Sequence, residues 1–206
     1  MENALLIFIK NPQLGKAKTR LAATIGKEKA LEIYLLLLDH TRKVARASDA
    51  QKHLYYNEFI DEQDDWSNDT FIKHLQDINP DLGQKMYTAF SELAKSGVKK
   101  ALIIGSDCLE LTPEIVNSAL KVLDQKEAII GPAKDGGYYS IGFNFQKIET
   151  EAVLKKAFLG KKWSHDDVLK EAKEALESFS MDYALLPTLS DVDVEADVAH
   201  LLSEHL

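Results

Sequence analysis

The sequence predicts an α/β fold with a mostly parallel sheet. Short apolar runs alternate along the chain with stretches of helical periodicity, which is the order expected of β-α-β units. The run 4–9 is apolar throughout and the run 100–105 is apolar after Lys100, as in strands that are fully buried. The 206 residues, of which 45% are hydrophobic, suffice for a full core. We therefore expect a single domain over residues 1–206.

Each element is predicted from a local pattern. Strands are predicted at 4–9, 52–59, 100–105, 127–131, 138–145 and 182–186, with a further short segment near 71–75. Helices are predicted at 26–47, 82–95, 112–123, 164–176 and 195–202. Gly97 is typical of the position after a helix C-terminus, and Thr112 followed by Pro113 is typical of a helix start. Ser164 is the predicted cap of the fourth helix.

Charge is distributed unevenly along the chain. The formal net charge is −8, which disfavours a general nucleic-acid binder because such domains are usually basic. Residues 1–46 nevertheless hold nine basic and four acidic residues. Stretch 58–69 holds six acidic residues and no basic one, and we interpret it as a solvated loop.

The sequence also indicates a compartment. Cys108 is the single cysteine, so no internal disulfide can form, which fits a reducing environment. No apolar run is long enough to span a membrane, and the first run lacks the flanks of a signal peptide. We expect a cytoplasmic protein. A homodimer is one possibility, because the apolar faces of helices 26–47 and 112–123 fit an interface between subunits as well as a core.

The loop after the first strand is a candidate phosphate site. It carries four cations and no acid within eleven residues, and Gly15 allows a close approach of the backbone; the cations are Lys10, Lys16, Lys18 and Arg20. Ligands of parallel sheets bind beyond the carboxyl ends of the strands, where this loop lies. It is not a Walker loop, because Ala17 follows Lys16. The alternative is a solvated basic loop.

Acidic residues follow two further strands. Asp107 comes directly after the run 100–105, where a carboxylate can hold Mg²⁺ together with substrate phosphates, or can merely cap a turn. If residues 191–193 are extended, Asp191 and Asp193 face the same side and could provide a second ligand to that metal. The alternative is that these acids belong to the N-terminus of the last helix.

The turn Asp135-Gly136-Gly137 precedes the aromatic pair Tyr138 and Tyr139. One interpretation is a plain hairpin. The other is a turn under a substrate, with Asp135 accepting a hydroxyl proton, the glycines leaving room and the aromatic residues forming an apolar wall.

These stretches together resemble a bacterial family of uncharacterised function. The family is classed with glycosyltransferases or nucleotide-diphospho-sugar transferases of the GT-A fold. The resemblance rests on Phe8-x-Lys10-x-Pro12-x-x-Gly15-x-x-Lys18-Thr19-Arg20-Leu21, Asp81-Leu82-Gly83-x-Lys85-Met86, Gly105-x-Asp107-Cys108, Gly131-Pro132-x-x-Asp135-Gly136-Gly137-Tyr138 and Asp191-x-Asp193. The stretch 158–164 also matches. Lys85 stands where arginine is usual in the family, and Leu109 where proline is usual.

The resemblance implies a three-layer GT-A-like fold and a set of site residues. The first loop is also similar to that of the 2-phospholactate guanylyltransferases, where it holds a nucleoside triphosphate. Nucleotide binding is therefore implied near Lys18 and Arg20, with Asp81 and Gly83 included by their motif. A divalent metal, Mg²⁺ or Mn²⁺, is implied at Asp107, with Asp193 as second ligand. Gly136, Gly137 and Tyr138 are the implied acceptor side.

Three hypotheses of function follow. The first is a metal-dependent transferase acting on a nucleotide-activated substrate, a nucleotide sugar, with Asp107 and Asp135 as the catalytic residues. The second is a nucleotidyltransferase that joins a nucleoside triphosphate to a phosphorylated small molecule. The third is a nucleotide-binding protein that has kept the fold and lost catalysis, for which Lys85 and Leu109 are the sequence hints. The fold by itself does not decide among them.

Overall fold

The computed structural model describes residues 2–198, which form a seven-stranded sheet and six helices. The strands are β1 (Asn3–Ile9), β2 (Gln51–Tyr56), β3 (Phe71–Leu75), β4 (Lys100–Ile104), β5 (Ala128–Pro132), β6 (Tyr138–Asn144) and β7 (Tyr183–Leu185). The helices are α1 (Thr19–Ile25), α2 (Lys27–Arg46), α3 (Leu82–Lys95), α4 (Pro113–Gln125), α5 (Thr150–Phe158) and α6 (Val168–Glu177). Residues 195–198 are also helical; the remainder of the last predicted helix lies outside the described residues.

The sheet order is β3-β2-β1-β4-β6-β5-β7. All neighbouring strands are parallel except those that pair with β6, which is antiparallel to both β4 and β5. From β1 the chain proceeds outward on one side to β2 and β3, and it then returns to the other side of β1 to form β4. The topological switch point, where sheets of this kind bind ligands, therefore lies between the carboxyl ends of β1 and β4.

Helices cover both faces of the sheet. Leu5 and Ile7 of β1 pack in the layer that contains α1, α2 and α4, whereas Ala4 and Leu6 pack in the layer that contains α3, α5 and α6. Strands buried on both faces explain why the runs are apolar. The predicted three-layer α/β fold with a mostly parallel sheet is confirmed. Within residues 2–198, no helix has the length and apolar character needed to cross a bilayer.

The structure differs from the prediction at several places. Helices α1 and α5 were not predicted, and Gly26, with φ of 90°, separates α1 from the long α2. The prediction that Ser164 caps a helix is wrong, because Ser164 has a φ of 64° and α6 begins only at Val168. The polypeptide between α5 and α6 instead bends back over the turn at Gly136, as described below.

Candidate active site

The sheet brings the loops after β1 and β4 together. Ile7 and Ile104 are register partners in parallel strands, so the two chains leave the sheet side by side at the switch point. The first carries the basic stretch that starts at Lys10, and the second carries Gly105 and Asp107. The strand order alone therefore places these two stretches side by side, at the edge of the sheet where ligands commonly bind.

Lys18 is the centre of the site. Its side chain is only 5% exposed, and its Nζ lies 2.7 Å from Asp107 Oδ1 and 3.1 Å from Asp193 Oδ1. Its backbone is left-handed, with φ of 48° and ψ of 48°, at the position that caps α1. A non-glycine residue holds this conformation only where its surroundings impose it, and such residues cluster at functional sites. One buried ammonium thus joins two carboxylates from distant parts of the sequence.

The segment 191–193 reaches the site through its backbone. The Val192 N–H donates to the Asp107 carbonyl at 2.8 Å, and the Val192 side chain is buried. Asp193 Oδ2 also lies 3.4 Å from Arg20 Nη1. The structure therefore places Lys18, Arg20, Asp107 and Asp193 next to one another.

Asp191 completes a cluster of carboxyl groups. Burial raises its pKa from 3.8 to about 7, and the nearby charges of Asp107, Asp135 and Asp193 add to this effect, while Lys18 opposes it. Three carboxylates thus act on Asp191, and the cation that opposes them is the buried Lys18. This local excess of negative charge favours a further cation.

The remaining cations of the basic loop differ in their surroundings. The Lys10 side chain is exposed, and Lys16 Nζ lies 2.9 Å from Glu58 Oε2. Gly15 has a φ of 76°, and a Cβ there would lie 3.2 Å from Lys27 Cδ, so a side chain would be strained. Three of the four predicted phosphate-binding cations, namely Lys16, Lys18 and Arg20, are thus bonded to carboxylates.

The turn at Asp135 joins the antiparallel strands β5 and β6, so it is a hairpin as well as a candidate site. Asp135 Oδ1 accepts a hydrogen bond from the Gly137 N–H at 2.9 Å. Gly136 has a φ of 88°, and a Cβ there would lie 2.2 Å from the Asp166 carbonyl oxygen. The Gly136 carbonyl in turn accepts from the Leu169 N–H at 2.8 Å. The requirement for glycine at 136 is therefore explained by the α5–α6 connection that packs on the turn.

Tyr138 is adjacent to that same connection. Its ring packs edge-on against Trp163, with the ring centroids 6.3 Å apart. Tyr139 is 6% exposed and packs in the opposite layer of the core, so Tyr138 and Tyr139 do not form one aromatic wall. The acceptor role of Gly136, Gly137 and Tyr138 stays a prediction.

Asp81 and Gly83 have structural contacts of their own. The Asp81 side chain caps α3 by accepting from the Gln84 N–H at 2.8 Å. A Cβ at Gly83 would lie 2.0 Å from the Phe158 carbonyl oxygen, so α3 and α5 can approach only because this residue is glycine. Lys85 of the same motif lies 3.3 Å from Gln76 Oε1, and Gln76 donates to the Ile9 carbonyl at the end of β1. Nucleotide binding by Asp81 and Gly83 stays a prediction.

Residues that the sequence analysis missed hold the loops in place. The buried Tyr34 hydroxyl accepts from the Lys10 N–H at 2.8 Å, donates to its carbonyl at 2.9 Å, and lies 3.3 Å from Ser106 Oγ. It thereby ties α2 to the loops after β1 and β4. Tyr34 occupies the apolar stripe of a helix, where a buried hydroxyl needs a partner, and this was the available signal.

The donor set fits Mg²⁺ or Mn²⁺. Asp107 and Asp193 offer the carboxylate oxygens that these ions prefer. Across residues 2–198, no three acidic, histidine or cysteine side chains are gathered closely enough to hold an ion by themselves. Mg²⁺ commonly combines one or two protein carboxylates with substrate phosphates and waters, so a pair of carboxylates suffices. The pKa of Asp191 is raised mainly by burial and further by the neighbouring carboxylates, and the second of these effects is consistent with such a cation.

Fold and site together define the nucleotide-diphospho-sugar transferase class of fold. A crystal structure of a "putative nucleotide-diphospho-sugar transferase" from Desulfovibrio desulfuricans superposes with a TM-score of 0.87 at 28% identity, covering 98% of this chain and 87% of the other. The chain belongs to the family described as "Uncharacterized protein conserved in bacteria" (DUF2064), which matches residues 38–165. Among curated protein sequences, none matches this chain.

Two more distant structures share the fold. The 4-diphosphocytidyl-2C-methyl-D-erythritol synthase of Anaerococcus prevotii has a TM-score of 0.62 at 11% identity, covering 98% of this chain and 97% of the other. Rv0371C of Mycobacterium tuberculosis, crystallised in complex with manganese, has a TM-score of 0.53 at 14% identity, covering 98% of each chain. At these identities, the similarity to the two structures concerns the fold alone.

Proposed function

We propose that the protein is a metal-dependent transferase that transfers a glycosyl group from a nucleotide sugar. The observation that carries this proposal is the buried Lys18 ammonium between Asp107 and Asp193 at the switch point of the sheet. The similarity to the Desulfovibrio structure supports the choice of a nucleotide sugar as donor.

The basic loop would bind the phosphates of the donor. Lys10 is exposed at the end of β1, and Lys16 and Arg20 keep more than half of their side chains exposed, so all three can turn to a phosphate oxygen. Lys18 and Arg20 are bonded to the carboxylates that would hold Mg²⁺ or Mn²⁺. If a metal ion compensated the charge of Asp193, Lys18 and Arg20 would be free to stabilise phosphate oxygens. Metal and diphosphate would therefore bind together.

Asp107 and Asp193 would hold the metal, which when bound supplies Lewis-acid stabilisation of the leaving diphosphate. Asp135 would act on the acceptor. Its Oδ1 is engaged by the Gly137 N–H, which leaves Oδ2 to accept the proton of an acceptor hydroxyl. The hydroxyl oxygen forms the new bond to the sugar carbon, the bond from that carbon to the diphosphate breaks, and the nucleoside diphosphate leaves on the basic loop.

Nucleotidyl transfer is the second candidate, and the composition of the basic loop favours it. A nucleoside triphosphate carries more negative charge than the diphosphate of a nucleotide sugar, and four cations lie within eleven residues of this loop. In that reaction a phosphate oxygen of the second substrate attacks the α-phosphorus, and pyrophosphate leaves. The pairing of three of the four cations with carboxylates reduces this advantage.

A thermal-shift screen tests the proposal and names the donor. Purified protein is heated with Mg²⁺ or Mn²⁺ and with UDP-, GDP-, ADP- or dTDP-sugars or the matching triphosphates. A ligand at about 100 times its Kd adds roughly 2.7 kcal/mol to the free energy of unfolding, which is readily seen in Tm. A metal-dependent shift with one nucleotide sugar supports glycosyl transfer, and a shift with a triphosphate alone supports nucleotidyl transfer.

The products separate the candidates further. Release of nucleoside diphosphate from a nucleotide sugar supports glycosyl transfer, whereas release of pyrophosphate from a triphosphate supports nucleotidyl transfer. Binding without release of either product favours the third hypothesis, a nucleotide-binding protein without catalysis. No shift with any nucleotide contradicts the proposal.

A further inference from the structure

We infer that Phe59 forms the nucleobase-stacking surface of the site; this inference rests on the proposed function. Among the described residues, the large exposed apolar side chains include two phenylalanines, Phe59 and Phe179. Phe59 is 43% exposed and follows β2, the strand next to β1. It therefore lies at the same carboxyl edge of the sheet as the basic loop.

The backbone of Phe59 is fixed to the basic loop by Asn11. The Asn11 side chain is buried, its Oδ1 accepts from the N–H groups of Glu58 at 3.1 Å and Phe59 at 3.3 Å, and its Nδ2 donates to the Phe59 carbonyl at 2.9 Å. The Asn11 N–H in turn donates to Asn57 Oδ1 at 2.6 Å. These bonds fix the backbone of Phe59 beside the basic loop, so a ligand that stacks on the ring has only the side chain left to order.

The geometry of the sheet suits a nucleotide laid across this edge. Asp107 follows β4 and Phe59 follows β2, with β1 and its cations between them. Two strand spacings amount to about 10 Å. A nucleotide with its phosphates on Lys18 and Arg20 and its base directed toward β2 can therefore reach the ring of Phe59.

The charge near Phe59 agrees with this orientation. Glu58 is paired with Lys16, but Asp61 and Glu62 lie on the same loop, so this end of the site repels phosphate and tolerates an uncharged base. The same acids oppose docking on an anionic membrane surface. An aromatic ring stacks on the π-face that every base presents, so the ring contributes affinity for nucleosides without selecting among bases.

Isothermal titration of the full chain with Mg²⁺ tests the inference. The nucleotide that the wild-type protein binds best is compared with inorganic pyrophosphate, which lacks a base. Phe59→Ala is expected to weaken nucleotide binding about tenfold, the effect of losing one base–aromatic stack, and to leave pyrophosphate binding within about twofold. Phe59→Tyr is expected to bind both as the wild type does. Phe179→Ala, with a similarly exposed ring beyond α6, is the matched control and should change neither.

Three results overturn the inference. If Phe59→Ala binds the nucleotide as tightly as the wild type does, the inference is wrong, whereas the proposed function is unaffected. If the wild-type protein binds pyrophosphate as tightly as any nucleotide, the inference is also wrong, because the base then contributes no affinity. Binding of neither ligand rejects the proposed function and this inference with it. A Tm of Phe59→Ala close to that of wild type, expected for an exposed side chain, shows that any loss concerns the ligand.

Discussion

The basic loop of residues 10–18 and the acidic loop of residues 58–69 follow neighbouring strands, β1 and β2, and touch each other through the Lys16–Glu58 ion pair. Each loop forms ion pairs through a buried lysine. Lys18, at the end of the basic loop, is 5% exposed, and Lys73, which contacts the acidic loop from β3, is 6% exposed. The partners differ. Lys18 holds carboxylates whose side chains are 46% and 40% exposed, whereas Lys73 holds Asp64, which is 20% exposed.

The acidic loop uses its charges to fold. Asp64 accepts from the Tyr56 hydroxyl at 2.6 Å and from Lys73 Nζ at 2.9 Å, and Lys73 also donates to the Asp61 carbonyl. Trp66 in the same loop is buried against Phe71. The interpretation as a solvated loop holds for the exposed acids but misses this anchor. A buried ion pair of this kind satisfies its own charges and leaves none for a ligand.

Position on the sheet and the exposure of the carboxylate partners therefore distinguish the proposed binding loop from the structural one. The basic loop borders the switch point, and its carboxylate partners Asp107 and Asp193 are partly exposed, so a cation could reach them. The acidic loop is denser in charge, yet its buried pair is closed to ligands. Charge composition alone would have ranked the two the other way.

Asp107→Asn should reduce turnover more than any other of the proposed substitutions. Unchanged turnover would contradict the distinction between the basic and the acidic loop. Replacing the carboxylate by an amide removes the negative charge from the proposed metal ligand. Turnover of the nucleotide substrate identified by the thermal-shift screen should fall on the order of 10²–10³-fold in steady-state kinetics at saturating Mg²⁺.

Asp65→Asn is the control in the acidic loop. Asp65 is 85% exposed and pairs with Arg42 at 2.9 Å. Because exposed pairs contribute little, both turnover and Tm should stay close to those of wild type. Full metal-dependent activity of Asp107→Asn would show that Asp107 is not the metal ligand.

Much of this site was predictable from the sequence because the relevant residues directly follow apolar strands. Lys10 comes after β1 and Asp107 after β4, and parallel strands end at one edge. The pairing of Lys18 with Asp193 was not predictable, because it depends on the Val192–Asp107 backbone bond between segments that are 85 residues apart. Ring stacking, left-handed residues such as Ser164, and helix α5 also depend on tertiary contacts rather than local periodicity.

Lys18→Met should lower kcat/KM for the same substrate on the order of 10–100-fold. The variant keeps most of the side-chain volume but removes a charged hydrogen-bond donor, which contributes about 1.5–3 kcal/mol to such contacts. The loss should appear in kinetics, while the Tm changes little because Asp107 and Asp193 remain partly hydrated. A large fall in Tm without a change in kcat/KM would instead place Lys18 with the structural lysines.

Lys73→Met tests the structural role of the lysine that binds the acidic loop. It leaves the Asp64 carboxylate, 20% exposed, without its cation. The free energy of unfolding should fall by about 2 kcal/mol, less than the ~3–5 kcal/mol of a fully buried pair. Urea denaturation measures this change. Activity per folded molecule should equal that of wild type, and a selective loss of kcat/KM would contradict the division between the two loops.

The smallest effect concerns pH and the strand β2 that leads into the acidic loop. Burial lowers the pKa of His53 from 6.5 to about 4, and His74, whose Nε2 lies 3.0 Å from His53 Nδ1, adds to the effect. The unfolded chain therefore binds a proton at His53 below about pH 6.5 that the folded protein does not bind until about pH 4. The stability associated with neutral His53 is fully present above pH 6.5 and decreases as the pH falls.

His53→Gln isolates this contribution, because the other titrating groups are common to both proteins and glutamine can still bond to His74 and Gln51. Between pH 6 and pH 5 the wild type should lose about 1 kcal/mol more than the variant, as judged from urea midpoints at each pH. The pH dependence of nucleotide binding should be the same in both proteins, since His53 lies in β2 and not in the proposed site. Parallel stability profiles would show that His53 titrates alike in the folded and unfolded states.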